Sequence, residues 1–173
     1  MWRVVVVAAL AAVPAASGNG PVPAEPAAAI HKTAGPSAFL PTSLPTGYRY
    51  SSWKNESPNQ VPFADSPWFT VTYIHGSTRL LWTVIVLSPA ADEDRCNLLS
   101  AGHATIARKT IYWSAPTTYD PLGSGPKGRH VWRCLNSPGG GGRIKLDAFD
   151  QGPSLATPVA SGLVARATNT SAG

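Results

Sequence analysis

Residues 68–87 read WFTVTYIHGSTRLLWTVIVL, and this stretch decides the fold class of the chain. Its two flanks are rich in β-branched and aromatic residues, which favour strands, and Gly76 and Ser77 lie between them. Glycine readily adopts the positive φ of a tight hairpin turn, so the stretch predicts two antiparallel strands, at 68–75 and 80–87. The second strand is apolar on both faces, which is typical of a central strand. The hairpin therefore predicts a sheet that another element must cover.

Other stretches of the chain extend this sheet and supply its cover. Strand-like composition recurs in four further runs, which predict strands at 48–54, 105–113, 129–136 and 143–149. Near the C-terminus, Leu155, Val159 and Leu163 recur at helical spacing, and Pro158 fits the first turn of a helix over 155–167. We therefore expect an α+β fold, a twisted antiparallel sheet of five to seven strands with the C-terminal helix packed on one face.

The chain has two cysteines, Cys96 and Cys134. An even pair in an exported protein favours a disulfide, because oxidising compartments stabilise the bond and no thiol is left over. In the chain-entropy description, closing a loop of this length destabilises the unfolded chain by about 4 kcal/mol. We therefore expect one disulfide, Cys96 to Cys134, that contributes a large share of the stability of a small domain.

The N-terminus is typical of a secretory signal, predicted at 1–17. Arg3 precedes ten apolar residues at 4–13, and small residues follow. About 20 apolar residues are needed to cross the hydrocarbon core, so the pattern predicts cleavage and no transmembrane segment afterwards. We therefore expect a secreted protein, located outside the cell or in the cell envelope. Composition divides the remainder into a disordered Ala/Pro-rich spacer at 18–46, a single α+β domain at 47–168 and a flexible tail at 169–173.

Charge is spread unevenly along the chain. The formal net charge is +5, and residues 104–150 hold seven lysines and arginines against three aspartates. Such an excess is consistent with a surface that meets anionic partners. Nucleic-acid binders carry denser basic clusters, so we predict no nucleic-acid partner.

Local motifs that identify enzymes or cofactor sites are absent from the sequence. It contains no G-x-S-x-G elbow, no phosphate-binding loop, no H-E-x-x-H helix and no paired C-x-x-C. We therefore predict no catalytic residue, no metal and no cofactor, and an enzyme is the less favoured class.

The strands at 129–136 and 143–149 hold the candidate binding residues. Period-two alternation directs one set of side chains to the core if that set is Trp132, Cys134, Ile144, Leu146 and Ala148. The outward set is then a basic stripe, which Arg108 extends and which consists of Arg129, Arg133, Arg143 and Lys145. Guanidinium groups form forked hydrogen bonds with phosphate and carboxylate, so the stripe predicts an anionic envelope polymer or a lipid head group as partner. The alternative is a solvated face without a ligand, because half-exposed strands need polar residues on their outer side.

The favoured function is a non-catalytic binding module that is secreted or associated with the cell envelope. Two alternatives stay open. A small secreted hydrolase would assemble its active site from distant residues, with His130 and Asp147 as the pair to suspect first. A secreted inhibitor or interaction domain would instead present its hairpin loops to an extracellular protein.

Several landmarks of the chain resemble a known group of proteins. They are the segment Leu44-Pro45-Thr46-Gly47-Tyr48, the triplet Trp132-Arg133-Cys134, the glycine-rich turn, the run 144–148 and the capped C-terminal helix. Together with the Ala/Pro/Arg bias, they resemble secreted proteins of high-GC Gram-positive bacteria that have no established activity. The resemblance implies export and an antiparallel sheet with a C-terminal helix, and it brings no functional residues. The layout is also similar to that of Mog1/PsbP-like α+β domains, which is an analogy of layout alone.

Overall fold

The strand-forming runs pair into an antiparallel sheet in the computed structural model, which describes residues 21–56, 66–87, 96, 100–118, 126–138, 142–151 and 157–169. The elements in chain order are α1 (Ala24–Ala34), a 3-10 turn (Gly35–Ser37), β1 (Phe39–Leu40), β2 (Arg49–Asn55), β3 (Ser66–His75), β4 (Thr78–Leu87), β5 (Gly102–Ile106), β6 (Lys109–Trp113), β7 (Thr117–Thr118), β8 (Lys127–Asn136), β9 (Arg143–Asp150), α2 (Thr157–Arg166) and β10 (Thr168–Asn169). The predicted signal at 1–17 and most of the glycine-rich turn lie outside the described residues. Within those residues, no helix has the length and apolar character to cross a bilayer.

The sheet is antiparallel throughout. Seven strands follow one another in the order β2-β3-β4-β9-β8-β6-β5, and the short strand β7 pairs with β8. A separate two-stranded ladder joins β1 to β10, with Phe39 opposite Asn169. α2 packs against β6, β8 and β9. The predicted α+β fold with a C-terminal helix on the sheet is therefore confirmed.

One of two hairpin turns carries a clear sequence signal, and the other does not. Gly76 has a φ of 59° and occupies the first position of the two-residue turn between β3 and β4, where a type II′ turn favours glycine. β5 and β6 are joined by Ala107 and Arg108, whose φ values of 49° and 60° are left-handed. Such values are uncommon for residues other than glycine. The single strand predicted at 105–113 is therefore wrong, because the chain reverses at these two residues and forms two strands.

The core lies on the face of the sheet that the helices cover, which we call the helix face. Trp82 is fully buried there, and its Nε1 donates to the Phe39 carbonyl at 2.9 Å. Burying a large apolar side chain of this kind stabilises the fold by roughly 1.5–3 kcal/mol. The same core cluster includes strand residues and helix residues, among them Phe69, Val71, Val84, Val131, Ile144, Leu146, Ala148, Leu163 and Val164.

The N-terminal segment is folded, so the prediction of a disordered spacer at 18–46 is wrong for residues 21–46. α1 has Glu25 in its first turn and Lys32 in its last, which suits the helix dipole. Ile30 is fully buried in the core cluster, and α1 packs against β2 and β3. Few apolar residues suffice because alanine has a high helix propensity and the helix needs only one apolar stripe. The folded unit therefore begins well before the predicted boundary at 47.

Cys96 and Cys134 form the predicted disulfide, with their Cα atoms 6.1 Å apart. Cys134 lies on β8, and it points away from the helix face because its cross-strand partner is Lys145 rather than a core residue. We call this opposite side of the sheet the far face. The Cys96 carbonyl also accepts a hydrogen bond from Trp132 Nε1 at 2.6 Å. Two bonds therefore hold Cys96 against the far face of β8.

Candidate functional site

The four residues of the predicted basic stripe do not share a face of the sheet. Residues directly opposite each other in an antiparallel pair point to the same side, and Arg133 is opposite the core residue Leu146. By the same register, Arg129 and Arg133 lie on the helix face, whereas Arg143 and Lys145 lie on the far face. The predicted arrangement is therefore wrong. The alternation of inward and outward side chains gave the wrong faces because three consecutive residues in the middle of β8 are buried, so this strand has no solvent-facing side there.

Two residues of the stripe, Arg133 and Arg143, nevertheless meet around a cavity of about 340 Å³. In the described register β6 pairs with β8 at Tyr112 and Trp113, and the earlier residues of β6 have no partner on β8. Residues of both strands line the cavity, so it occupies the gap where the strands separate. We call it the basic cavity. Its described lining has four cationic side chains and no carboxylate, and it consists of Cys96, Arg108, Lys109, Thr110, Tyr112, Arg133, Cys134 and Arg143.

The C-terminus of α2 holds two of these cations in place. Lys109 Nζ donates to the Ala165 carbonyl at 2.8 Å, and Arg133 Nη2 donates to the Ala167 carbonyl at 2.8 Å. The last carbonyls of a helix lack partners within it and form the negative end of its dipole, so cations are favourable there. A structural role in capping α2 therefore accounts for one hydrogen bond of each residue.

Arg133 keeps an unsatisfied donor in addition to this contact. The residue is 8% exposed, and its buried Nε has no hydrogen-bond partner. No ion pair between Arg133 and a carboxylate occurs among the described residues, where Asp147 is paired with His130 and Lys145. Burial of a cation costs several kcal/mol unless a partner compensates for the lost water. Arg133 is therefore a buried charge that the described part of the chain compensates only in part.

The pKa values of two of these cations are lowered, by burial in both cases and also by like charge in one. Burial lowers the pKa of Arg133, because the charged form loses its water. Burial also lowers the pKa of Lys109, and the positive charge of Arg133 lowers it further. The two cations thus disfavour each other, and an anion bound between them would remove that repulsion.

On the far face, β8 and β9 bring together the pair that the sequence singled out, His130 and Asp147. His130 Nδ1 lies 2.8 Å from Asp147 Oδ2, and Lys145 Nζ lies 3.5 Å from the same oxygen. Burial raises the pKa of Asp147, but the charges of Lys145 and His130 and their hydrogen bonds outweigh it and hold that pKa below its ordinary value. Asp147 is therefore a buried carboxylate that Lys145 and His130 stabilise.

Aromatic rings pack around this pair. The His130 ring lies 4.6 Å from the Phe149 ring, and Trp132 stacks with Tyr112 at 6.0 Å. Lys145 Nζ lies 4.5 Å from the centre of the Trp132 ring, close enough for a cation–π interaction. Such contacts are also expected of a buried polar pair beside the stretch of β8 whose consecutive residues are buried. Packing alone therefore accounts for the geometry of His130 and Asp147.

A second cavity, of about 610 Å³, lies over β2, β3 and β4. Hydroxyl groups such as those of Ser52 and Thr72 line it, together with charges of both signs from Lys54, Glu56 and Arg79. Mixed charge selects less strongly for one ligand class than charge of a single sign. The basic cavity is therefore the stronger candidate site.

Sequence reasoning did not find Lys109 as a site residue. It follows the turn at Ala107 and Arg108, and neither residue carries the Gly, Asn or Asp signal of a tight turn. Without that signal the run at 105–113 looked like one strand, and the approach of its basic residues to β8 could not be anticipated. Only Arg108 was placed near the predicted stripe.

Comparisons with known proteins add no assignment. The chain matches no family model, no curated protein and no solved structure. No group of three or more potential metal ligands occurs in the described part of the chain. A function must therefore be inferred from the geometry of the chain itself.

Proposed function

We propose that the protein is an exported, non-catalytic binding module that takes an anionic ligand in the basic cavity. The observation that carries this proposal is the convergence of Arg108, Lys109, Arg133 and Arg143 on one cavity whose described lining has no carboxylate. Like charges at short range repel one another, so a bound anion would stabilise this arrangement. Guanidinium groups also orient anions through forked, charge-assisted hydrogen bonds.

Export is part of the same proposal. The disulfide between Cys96 and Cys134 is favoured in an oxidising compartment, and residues 1–17 have the pattern of a signal peptide. Outside the cytosol, the anionic groups within reach are those of envelope polymers, lipid head groups and secreted solutes. The ligand is expected to come from this set.

The experiment compares two charge reversals at exposed arginines. Arg108 and Arg49 are both exposed, but only Arg108 lines the basic cavity. Arg49 lies on β2, the edge strand at the opposite end of the sheet from β5 and β6. Arg108→Glu and Arg49→Glu change the net charge equally. Retention of the purified proteins on immobilised polyphosphate and polyglutamate is measured as salt is raised.

Arg108→Glu is expected to bind at least about 10-fold more weakly, the loss that one charged hydrogen bond carries. Arg49→Glu is expected to match the wild-type protein. Equal weakening of both variants would show a general effect of net charge and would remove the basic cavity as the site.

A second candidate function, a secreted hydrolase, is favoured by the 2.8 Å contact between His130 Nδ1 and Asp147 Oδ2. A carboxylate orients the histidine base of many hydrolases in this way. We place it second because packing alone accounts for the pair. Wild-type protein and His130→Ala are compared on ester, phosphate and glycoside substrates. A wild-type activity that the variant loses would favour the hydrolase, and inactivity of the wild-type protein on all three classes would count against it.

A further inference from the structure

We propose that the group held in the basic cavity is a phosphate monoester, with Arg133 as its deep anchor. This inference rests on the proposed function and names the chemical class of its ligand. Three features of the cavity lead to it, namely a buried donor without a partner, the amount of positive charge and the size of the space.

The buried donor is Nε of Arg133. Nη2 of the same guanidinium is fixed by its 2.8 Å hydrogen bond to the Ala167 carbonyl, whereas Nε is buried and has no partner. The side chain is therefore held in one orientation before any ligand arrives, and the residue lines the cavity in that orientation. Such preorganisation favours binding, because less side-chain freedom is lost when the ligand is bound.

The number of charges and donors suits a tetrahedral dianion better than a carboxylate. A phosphate monoester carries about −1.5 to −2 charges near neutral pH and has three terminal oxygens, whereas a carboxylate carries one charge and two oxygens. Four cationic side chains surround the space, and Thr110 and Tyr112 also line it. A hydroxyl group is able to donate a hydrogen bond to a phosphate oxygen, which would complement the arginine forks.

The size of the cavity favours a compact head group. Its volume of about 340 Å³ is near the lower end of the range for ligand sites, roughly 300–1,000 Å³. A phosphate with a few attached atoms fits such a space. The disulfide Cys96–Cys134 lines one side, so a covalent link limits how far the cavity opens. A linear polycarboxylate would need cations in a row along the surface, and the predicted row does not exist.

The first experiment measures binding of two dianions of similar charge by isothermal titration calorimetry at pH 7.5. Glycerol 3-phosphate is the monoester, and succinate is the matched dicarboxylate. We expect glycerol 3-phosphate to bind at least about 10-fold more tightly. Phosphatidylcholine vesicles with and without phosphatidic acid are tested in parallel, because the same monoester group occurs in a soluble ester and in a lipid head group.

Each outcome bears on a different part of the argument. Binding of glycerol 3-phosphate alone supports a soluble ester as ligand, and binding of phosphatidic acid vesicles supports a head group. Succinate binding as tightly as the phosphate would overturn the phosphate assignment and leave the proposed anion-binding function in place. If no anion binds, including polyphosphate and polyglutamate, both the phosphate assignment and the proposed anion-binding function are overturned.

The second experiment tests the role of Arg133. Arg133→Lys keeps the positive charge and a donor for the Ala167 carbonyl but removes the planar fork of the guanidinium, so we expect glycerol 3-phosphate to bind about 10-fold more weakly. A thermal melt checks that this variant is folded. Arg108→Gln provides a second, exposed cavity variant with the same expected direction, and Arg49→Gln is the matched control. Unchanged phosphate affinity in Arg133→Lys, with a normal melt, would exclude Arg133 as the anchor.

Discussion

Asp147 and Arg133 are buried charges of opposite sign on opposite faces of the same strand pair, and they differ in their partners. On the far face, Asp147 has two partners, His130 and the cation Lys145, that approach one of its oxygens. On the helix face, Arg133 has one neutral carbonyl, that of Ala167, and an Nε without a partner. A buried charge is tolerated when it is paired. Asp147 has two partners at Oδ2 and keeps a buried Oδ1 without one, whereas Arg133 has no carboxylate partner among the described residues and would gain an anionic one under the proposed function.

The backbone beside the basic cavity also has unfavourable features. The basic cavity is bordered by the turn at Ala107 and Arg108, where two residues other than glycine have positive φ. Left-handed backbone costs such residues roughly 1–2 kcal/mol each. Unfavourable features therefore gather at the basic cavity, where a binding site would require them.

The largest expected effect comes from the disulfide, whose two cysteines line the basic cavity. It closes a loop with a sequence separation of 38, so Cys96→Ser with Cys134→Ser should lower the free energy of unfolding by about 4 kcal/mol. Urea denaturation with and without reductant measures the change. Because the bond also lines the basic cavity, anion affinity should fall in the double variant even under conditions where it is folded. Normal affinity in the folded variant would show that the cavity does not depend on the bond.

Removing the paired charge should have the next largest effect. Asp147→Asn keeps the shape of the side chain but leaves His130 and Lys145 without their carboxylate, so we expect a loss of about 3 kcal/mol. Arg129→Gln, which removes an exposed charge from β8, should change stability by less than about 0.5 kcal/mol. Chemical denaturation of both variants gives the two values. A loss below about 1 kcal/mol for Asp147→Asn would mean that the pair is not the stabilising contact described above.

The contribution of Asp147 should depend on pH in a defined window. Its pKa is lower in the folded state than its ordinary value of 3.8, so the unfolded chain binds the proton first as pH falls. The stabilisation is present above about pH 4 and is lost as pH falls through the lowered folded pKa. Melting temperatures of wild-type protein and Asp147→Asn, measured from pH 7 to pH 2, should therefore converge at the acid end. A constant difference across that range would contradict the assignment.

Removing the unpaired charge should have a smaller effect on stability and a larger one on binding. Arg133→Met loses the hydrogen bond to the Ala167 carbonyl but also removes a buried charge, so we expect a loss of only about 1 kcal/mol. Binding of anions should fall below detection in the same titrations. A loss as large as that of Asp147→Asn would erase the difference between the two regions and identify Arg133 as a structural residue.

The sequence was informative wherever a local rule applied. Gly76 marked the central hairpin, helical spacing marked the C-terminal helix and the two cysteines indicated their bond. Register was not predictable in the same way, because β8 is buried on both faces around Trp132 and the usual in-and-out alternation gives no guidance there. The convergence of Arg133 and Arg143 with the β5–β6 turn is a tertiary property that no short motif encodes. α1 was missed because composition averages hide the single apolar stripe that includes Ile30.

The smallest expected effect concerns the strained turn. Ala107→Gly relieves the left-handed backbone but adds freedom to the unfolded chain, so a net gain of about 0.5 kcal/mol is expected. Gly76→Ala at the other hairpin is the matched control. A Cβ at Gly76 would meet no atom within 4 Å, so its φ of 59° alone should destabilise the protein, by roughly 1–2 kcal/mol.

Anion affinity decides what the strain at Ala107 means. If the turn holds Arg108 at the cavity, Ala107→Gly should be more stable than the wild-type protein and yet bind glycerol 3-phosphate a few-fold more weakly, because a glycine lets the turn sample other conformations. Gly76→Ala, which lies outside the basic cavity, should leave affinity unchanged while it lowers stability. If the two substitutions change stability in opposite directions and only Ala107→Gly alters anion affinity, the strain at Ala107 serves ligand binding. Unaltered binding in Ala107→Gly would mean that the strain is incidental to the site.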